Sequence, residues 1–324
     1  MKRRPLLLAA GLCALASAAF AQPGGGYPAK PIRLVIGFAP GGAADYVARA
    51  MGEAFGKALG QPVVVDNKPG NGSSIAADIV AKAAPDGYTL LIASPSSISV
   101  NPALNARLSY KPSDLLPVTR ITTSPLVLAV NPATGIQSVQ DLVAAARKEP
   151  GRLNYSTSGN GSAPHLGAAL FSMVTGVEMT HIPYKGGSLA IQSVMAGDTQ
   201  LTFGTSPSVL PMANGGKLRA LAVSTRERSP LVPNLPGMRE AGLPDYNLEF
   251  WYGMFLPAGT PAPIVHKVYE ATVAAMQQPA VRASLARDGT EVSVSASPQA
   301  FESFLVEDGQ FWSKLVRSAN VKVE

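Results

Sequence analysis

Pro28-Ala-Lys-Pro-Ile-Arg-Leu-Val-Ile-Gly-Phe-Ala-Pro-Gly-Gly-Ala-Ala-Asp-Tyr-Val-Ala-Arg49 packs a strand, a glycine turn and a helix start into 22 residues. Ile32, Leu34, Ile36 and Phe38 alternate with Arg33, Val35 and Gly37, the two-residue period of a strand. Pro40, Gly41 and Gly42 break that period and turn the chain. A helix is expected from about Ala44 to Leu59, with Asp45 in its first turn, favoured by the helix dipole and placed to pair with Arg49 four residues on. Strand, glycine turn and helix are the repeating unit of an α/β layered fold.

Downstream the unit recurs. Val63 to Val65 and Tyr88 to Ala93 read as strands around a helix at Ser73 to Ala83, and the second of these strands ends in Ser94, Pro95, Ser96 and Ser97. A second series starts at Leu126 to Val130. It continues through a helix at Ser138 to Glu149, a strand at Leu153 to Thr157 and a helix from Pro164 to Val174. His181 to Lys185, Ser188 to Ala196, Gln200 to Phe203 and Leu218 to Ser224 complete it. Ser138 with Asp141 has the spacing of a capping box. After residue 250 comes an aromatic strand, Trp251 to Leu256, and then helices beginning at Pro263, near Pro279 and at Ser297, the last running to about Ser318. Phe301, Phe304, Leu305, Phe311, Trp312 and Leu315 give that last helix a broad apolar face, which needs a lobe to pack on. The second series has helices of its own, so the chain is expected to return to the first lobe near Glu249 to Leu256. This predicts a discontinuous first domain, residues 27–127 with 252–324, around a second of residues 128–251. The two crossings, at Leu126 to Val130 and Trp251 to Leu256, then form a hinge. Trp251 and Tyr252 read as core or hinge packing.

The N-terminus carries Lys2, Arg3 and Arg4, an apolar run from Leu6 to Leu15, and Ala19 and Ala21 around Phe20, the pattern of a secretory signal peptide cleaved after Ala21. Cleavage removes 21 of 324 residues and leaves 303, without the lone Cys13. Leu12 stands before that cysteine, where lipoprotein signals carry a small residue. The remaining 303 residues hold no run approaching the roughly 20 apolar residues of a membrane span, so no membrane insertion is expected. Half of the formal charge of +6 belongs to the three basic residues of the signal, and what remains is no nucleic-acid footprint. There is no Gly-x-Ser-x-Gly elbow, Walker loop, Gly-x-Gly-x-x-Gly or His-Glu-x-x-His pair, and the three histidines lack ligand spacing. Neither catalysis nor a metal or other cofactor is expected.

Small glycine- and hydroxyl-rich loops stand after strands and before helices instead: Ala39 to Asp45, Ser94 to Ser97 and Thr157 to Ser162. In open α/β sheets ligands bind at the carboxyl ends of the strands. Helix N-termini there offer unpaired amides with partial positive charge, and glycines let an anion approach them. A carboxylate suits such a cradle. Any one of these loops also has a bland reading as a tight connection, and His165, in the first turn of its helix, suits a structural hydrogen bond as well as a binding role.

Ordered motifs add a family resemblance. They include Tyr27-Pro28-x-Lys30-Pro31-Ile32, Pro40-Gly41-Gly42-x-x-Asp45-x-x-Ala48-Arg49, Leu59 to Val65, Asn67-Lys68-Pro69-Gly70 and Pro85 to Leu90. Gly161, His165-Leu166, Pro183-Tyr184-Lys185-Gly186, Arg219 to Val223, Glu240 to Pro244 and Pro257 to Pro261 follow. Together they resemble the substrate-binding proteins of tripartite tricarboxylate transporters, the Bug receptors. The resemblance implies a two-lobed, type II Venus-flytrap periplasmic binding protein with a mixed, mainly parallel sheet in each lobe. It also implies a ligand-binding set, carried over by motif: Phe38, Ala39, Pro40, Gly41, Gly42, Ala43 and Asp45 from one lobe, and Ser158, Gly159, Asn160, Gly161, Ser162 and His165 from the other. Ser96, Ser97, Thr205 and Ser206, in strand-end loops, are expected to line the same crevice. The implied ligand is a di- or tricarboxylate, an acidic amino acid or an aromatic acid, carried by a monomeric periplasmic receptor. Its implied partner is a membrane permease of the same transporter type, or a sensor protein in signalling without transport. A secreted hydrolase and an adhesive envelope protein are the rival classes. Gly70-Asn71-Gly72-Ser73 departs from the Gly-Ala-Gly-Gly common in relatives, and Gln200 stands where they often carry aspartate.

Overall fold

The structure, a computed structural model, describes residues 26–318 except 106. The expected signal peptide lies outside the described residues. The chain begins β1 (Ile32–Ile36), α1 (Ala43–Leu59), β2 (Val63–Asn67), α2 (Ser74–Ala81) and β3 (Thr89–Ala93), followed by a π turn at Ser96–Val100 and the short α3 (Asn101–Leu104). A long strand, β4 (Leu115–Val130), leads to α4 (Val139–Lys148), β5 (Asn154–Thr157), α5 (Ala163–Thr175), β6 (Thr180–Pro183) and α6 (Gly187–Ala196). Next come β7 (Leu201–Thr205), α7 (Ser206–Asn214), β8 (Arg219–Val223) and β9 (Glu249–Pro257). The chain closes with α8 (Ala262–Gln277), α9 (Pro279–Arg287), β10 (Glu291–Val292) and α10 (Pro298–Ser318). Among the described residues no helix is long and apolar enough to cross a membrane.

Two sheets share β4. Its first part, Leu115–Pro125, pairs with β9, and the first sheet runs β2-β1-β3-β9-β4 with β10 against Thr122 and Thr123. Its last part, Leu126–Val130, lies between β7 and β8 in a second sheet that continues through β5 to β6. Each sheet is mixed, as expected. Parallel pairing is confined to β2-β1-β3 and β6-β5-β7, so "mainly parallel" overstated it. The physical reason is the double crossing: β4 leaves the first sheet and β9 returns to it, so they run in opposite directions. The two passages meet at Ser224, fully buried, whose Oγ accepts from Leu126 N at 2.8 Å and donates to Leu248 O at 2.6 Å.

The central strands of both sheets are covered on both faces, which is why β3 from Leu90 to Ala93 and β4 from Leu126 to Val130 are unbroken apolar runs. In the second sheet Leu126, Leu128 and Val130 pack with Leu142, Phe171 and Phe203 on the α4/α5 side, while Val127 and Ala129 meet Ile191, Val194 and Val209 of α6 and α7. In the first, Leu34 and Ile36 face α1 and α8, and Val35 faces Ala77 and Val80 of α2 and Phe301 of α10. Phe301 and Trp312 are fully buried, and each aromatic burial of that kind is worth about 1.5–3 kcal/mol. Phe311, expected on the same apolar face, is 45% exposed, because adjacent helix positions point about 100° apart.

Candidate functional site

The glycine turn after β1 puts the start of α1 at the edge of a crevice between the sheets. Gly41 has φ 76°, a left-handed conformation that glycine adopts freely, and Gly42 N donates to Ala39 O at 3.4 Å. Asp45 ties this turn together, accepting from Gly41 N at 3.0 Å, Arg49 Nε at 2.9 Å and Asn67 Nδ2 at 3.1 Å. Burial would raise its pKa, but these donors hold the carboxyl below its ordinary range. Asp45 is thus occupied by its own turn, and Gly42, as N-cap, has no side chain with which to cap the first amides of α1.

Three further helices begin at the same crevice. The N-cap of α6 is Gly186, again without a capping side chain. The N-cap of α7 is Thr205, which makes no capping bond; its Oγ1 reaches Ser208 Oγ at 3.1 Å. By contrast, α5 is capped by Ser162, which accepts from His165 N at 3.4 Å, and carries Pro164 in its first turn. Three uncapped N-termini, each worth roughly half a positive charge, therefore face one crevice from both lobes.

They enclose a cavity of about 20 Å³, room for about one water. Of the expected site residues, Phe38, Gly42, Ala43, Ser96, Ser158 and Thr205 line it. Ala39, Pro40 and Gly41 form the turn behind it, and Ser206 Oγ is turned to Pro125 O at 2.8 Å. Ser97 is buried in the π turn, where its carbonyl accepts from Tyr110 OH at 2.6 Å. No charged side chain lines the cavity. Ala44, Gly187, Thr202, Ser208, Phe250 and Tyr252 join the lining without having been expected there. For Gly187 a signal existed: Gly186-Gly187 after β6 repeats the glycine pair before α1. For Tyr252 it did not, because which face of β9 meets the crevice depends on how the two sheets pack.

Gly159, Asn160 and Gly161 serve the contact between lobes rather than the lining. A Cβ on Gly161 would strike the Asn101 side chain, and one on Gly72 would lie 2.6 Å from Asn160 O. Asn101 holds the facing loop, donating from Nδ2 to Asn71 O at 3.0 Å and Ser74 Oγ at 2.7 Å. On the opposite rim Ser188 Oγ donates to Pro40 O at 3.4 Å, and a Cβ on Gly186 would lie 3.0 Å from that of Ala39. His165 stacks on His181 with ring centroids 3.9 Å apart, and His181 on Tyr155 at 5.0 Å. Gly161 N donates to His165 Nδ1 at 3.2 Å, and His181 Nε2 pairs with Thr157 Oγ1 at 2.6 Å. Burial lowers the pKa to about 4 for His165 and, with His165 beside it, to about 3 for His181. Both rings are neutral near pH 7 and brace the glycine-serine loop. Among the described residues no cluster of three side chains could hold a metal ion.

Residues 47–321 match the tripartite tricarboxylate transporter family receptor. Among solved structures, a periplasmic transporter superposes with TM-score 0.88 at 37% identity, covering 92% of this chain and 100% of that one. A Rhodopseudomonas palustris protein solved with adipate gives 0.88 at 33%, covering 91% and 99%. MatC from Rhodopseudomonas palustris, with bound malate, gives 0.85 at 31%, covering 90% and 100%. A fold of two mixed sheets, an uncharged crevice ringed by helix N-termini and a family match over most of its length make this chain a member of the tripartite tricarboxylate transporter receptor family, a solute-binding receptor and not an enzyme.

Proposed function

We propose that this chain captures a small carboxylate in the crevice between its lobes and presents the closed form to a permease of the tripartite tricarboxylate type. Export by the N-terminal signal brings it to the periplasm, where it acts as a monomer. The moving units are residues 27–127 with 252–324 and residues 128–251. The switch of β4 between sheets at Pro125 and Leu126 supports this division, as does the return at Leu248 and Glu249. The observation that carries the reading is the convergence of the uncapped starts of α1, α6 and α7 on a cavity without a charged side chain. Such a cradle attracts an anion by main-chain dipoles. Relatives of known structure hold adipate and malate, both dicarboxylates, which supports the same ligand chemistry here. A cavity of about 20 Å³ does not admit a four-carbon acid, so capture requires the lobes to part at the double crossing and close again. Phe38, Gly42, Ala43, Ser96, Ser158 and Thr205 are the contact residues, with Ala39, Pro40, Gly41, Asp45, Ser97, Gly159, Asn160, Gly161, Ser162, His165 and Ser206 shaping the loops that carry them.

Thermal unfolding of the mature protein, stripped of copurified ligand by refolding, tests the reading against a panel of small carboxylates and their neutral amides. A carboxylate at a hundred times its dissociation constant is expected to add about 2.7 kcal/mol, on the order of several degrees. Equal stabilisation by the amides, or none across the panel, overturns it.

A further inference from the structure

Two well-buried residues of the cleft lining carry a hydroxyl with no partner among the described residues. Ser96, fully buried at the start of the π turn after β3, has an Oγ with no hydrogen-bond partner among the described residues. Tyr252, on the returning strand β9, is 5% exposed, and no described residue bonds its hydroxyl, which, unlike Ser96 Oγ, is not sealed from the cavity. Both residues line the same cavity.

Tyr252 is fixed in place. Along β9 alternate residues share a face, so Phe250 and Tyr252 look into the crevice while Trp251 looks the other way, into the core formed with Phe301. Phe250 meets the Tyr252 ring edge-on, with centroids 4.8 Å apart at 89°. In the ladder Tyr252 is opposite Thr122 of β4, and its neighbour Trp251 anchors the strand by donating from Nε1 to Asp308 Oδ1 at 2.9 Å. Proteins rarely bury a hydroxyl without a partner, because its hydration is lost and nothing replaces it. With no charged side chain in the lining, what is left to pair with these two hydroxyls is the one water that the unliganded cavity admits or, once that is displaced, the ligand.

Resting on the carboxylate reading above, we infer that Tyr252, together with Ser96, is a specificity-determining residue: its hydroxyl reads a second oxygen function on a bound carboxylate and discriminates against acids with a purely hydrocarbon tail. The uncapped helix starts take the first carboxylate whatever follows it, since a carboxylate looks the same to an amide in every acid. The hydroxyls are satisfied only when the remainder of the ligand carries an oxygen, and a hydrocarbon tail leaves them buried and unpaired. The source of that oxygen is a hydroxyl group or a second carboxylate.

Four acids of equal chain length separate the cases by titration calorimetry on the mature chain: butyrate, 3-hydroxybutyrate, succinate and malate. The wild-type protein is expected to bind at least one of the oxygen-bearing acids 10-fold or more tightly than butyrate. The preference between 3-hydroxybutyrate and succinate identifies which oxygen is read. Tyr252→Phe, which keeps the ring, is expected to remove at least 10-fold of that advantage, leaving butyrate affinity and the unliganded unfolding temperature unchanged. Ser96→Ala is expected to give the same pattern to a smaller degree. Equal weakening of all four acids by Tyr252→Phe would make the ring mere packing and overturn the inference, as would unchanged affinity for every acid. If wild-type protein binds none of the four and none of the carboxylate panel, the parent reading falls and this one with it, a result distinct from binding that ignores Tyr252.

Discussion

Gly186 stands at the rim of the second lobe with φ 164°, extended backbone that any residue adopts. What its missing side chain permits is approach: Ala39 of the first lobe lies 3.0 Å from where a Cβ would be. Gly186→Val therefore adds no strain within its own lobe but props the clamp open. It is expected to weaken carboxylate binding by 10-fold or more with little change in unliganded unfolding temperature. Lys185→Ala, removing an exposed neighbouring cation, is expected to change affinity less than 3-fold. Calorimetry on the two variants decides between a main-chain grip and a side-chain one, and the reverse ranking contradicts the account. Titration is a residue-scale matter too. His165 and His181 titrate at about 4 and about 3 in the fold but near 6.5 when unfolded, so below pH 6.5 the unfolded chain takes up protons that the fold refuses. The contribution of the two rings is whole above pH 6.5, falls as pH drops toward 4 by up to about 1.4 kcal/mol per pH unit for each ring, and levels off below about 3. Asp308 acts in the opposite sense. Burial raises it to about 6 against the hydrogen bonds from Trp251 and Trp312, so its contribution is full below its unfolded value of 3.8 and is lost as pH rises through 6. Asp308→Asn keeps an acceptor for both indoles and removes that counter-slope. Urea unfolding at pH 4.5, 5.5 and 7 is expected to show a steeper acid loss for this variant, and a shallower one contradicts the assignment.

At the scale of elements, what the sequence disclosed follows what local chemistry controls. Ser138 and Asp141 form the expected capping box, with Ser138 Oγ accepting from Asp141 N and Asp141 Oδ2 from Ser138 N, both at 3.0 Å. Ser138→Ala is expected to cost about 1 kcal/mol in urea unfolding without altering ligand affinity. A loss of affinity would mean that α4 feeds the crevice. Two elements escaped the sequence reading because proline disguised them. The first part of β4 contains Pro117 and Pro125, which argue against a strand interior, yet register shifts near Pro117 and at Arg120/Thr122 absorb the irregularity. Helix α7 carries Pro207 in its first turn and Pro211 inside, and it forms because its apolar side, Val209 and Leu210, is buried against the second sheet. In the crevice, glycine pairs before helices were legible as possible anion cradles. Which residues of β9 reach the cavity was not, because that depends on how two lobes separated in sequence come together.

For the whole molecule, the proposed function makes closure and binding one equilibrium. Bound ligand favours the closed form only through contacts that the open form lacks, and on the proposed reading both sides contribute them: the start of α1 from one lobe, the starts of α6 and α7 from the other. Ser224 joins both crossings within one hydrogen-bonded knot, which would confine the proposed rotation to a narrow region. The most direct test is a crystal structure with the carboxylate that stabilises the protein most. The account predicts its carboxylate oxygens within hydrogen-bonding distance of main-chain amides in the first turns of α1 and α6, with no lysine or arginine side chain in contact. A carboxylate paired with a cationic side chain, or seated outside the crevice between the lobes, would contradict it.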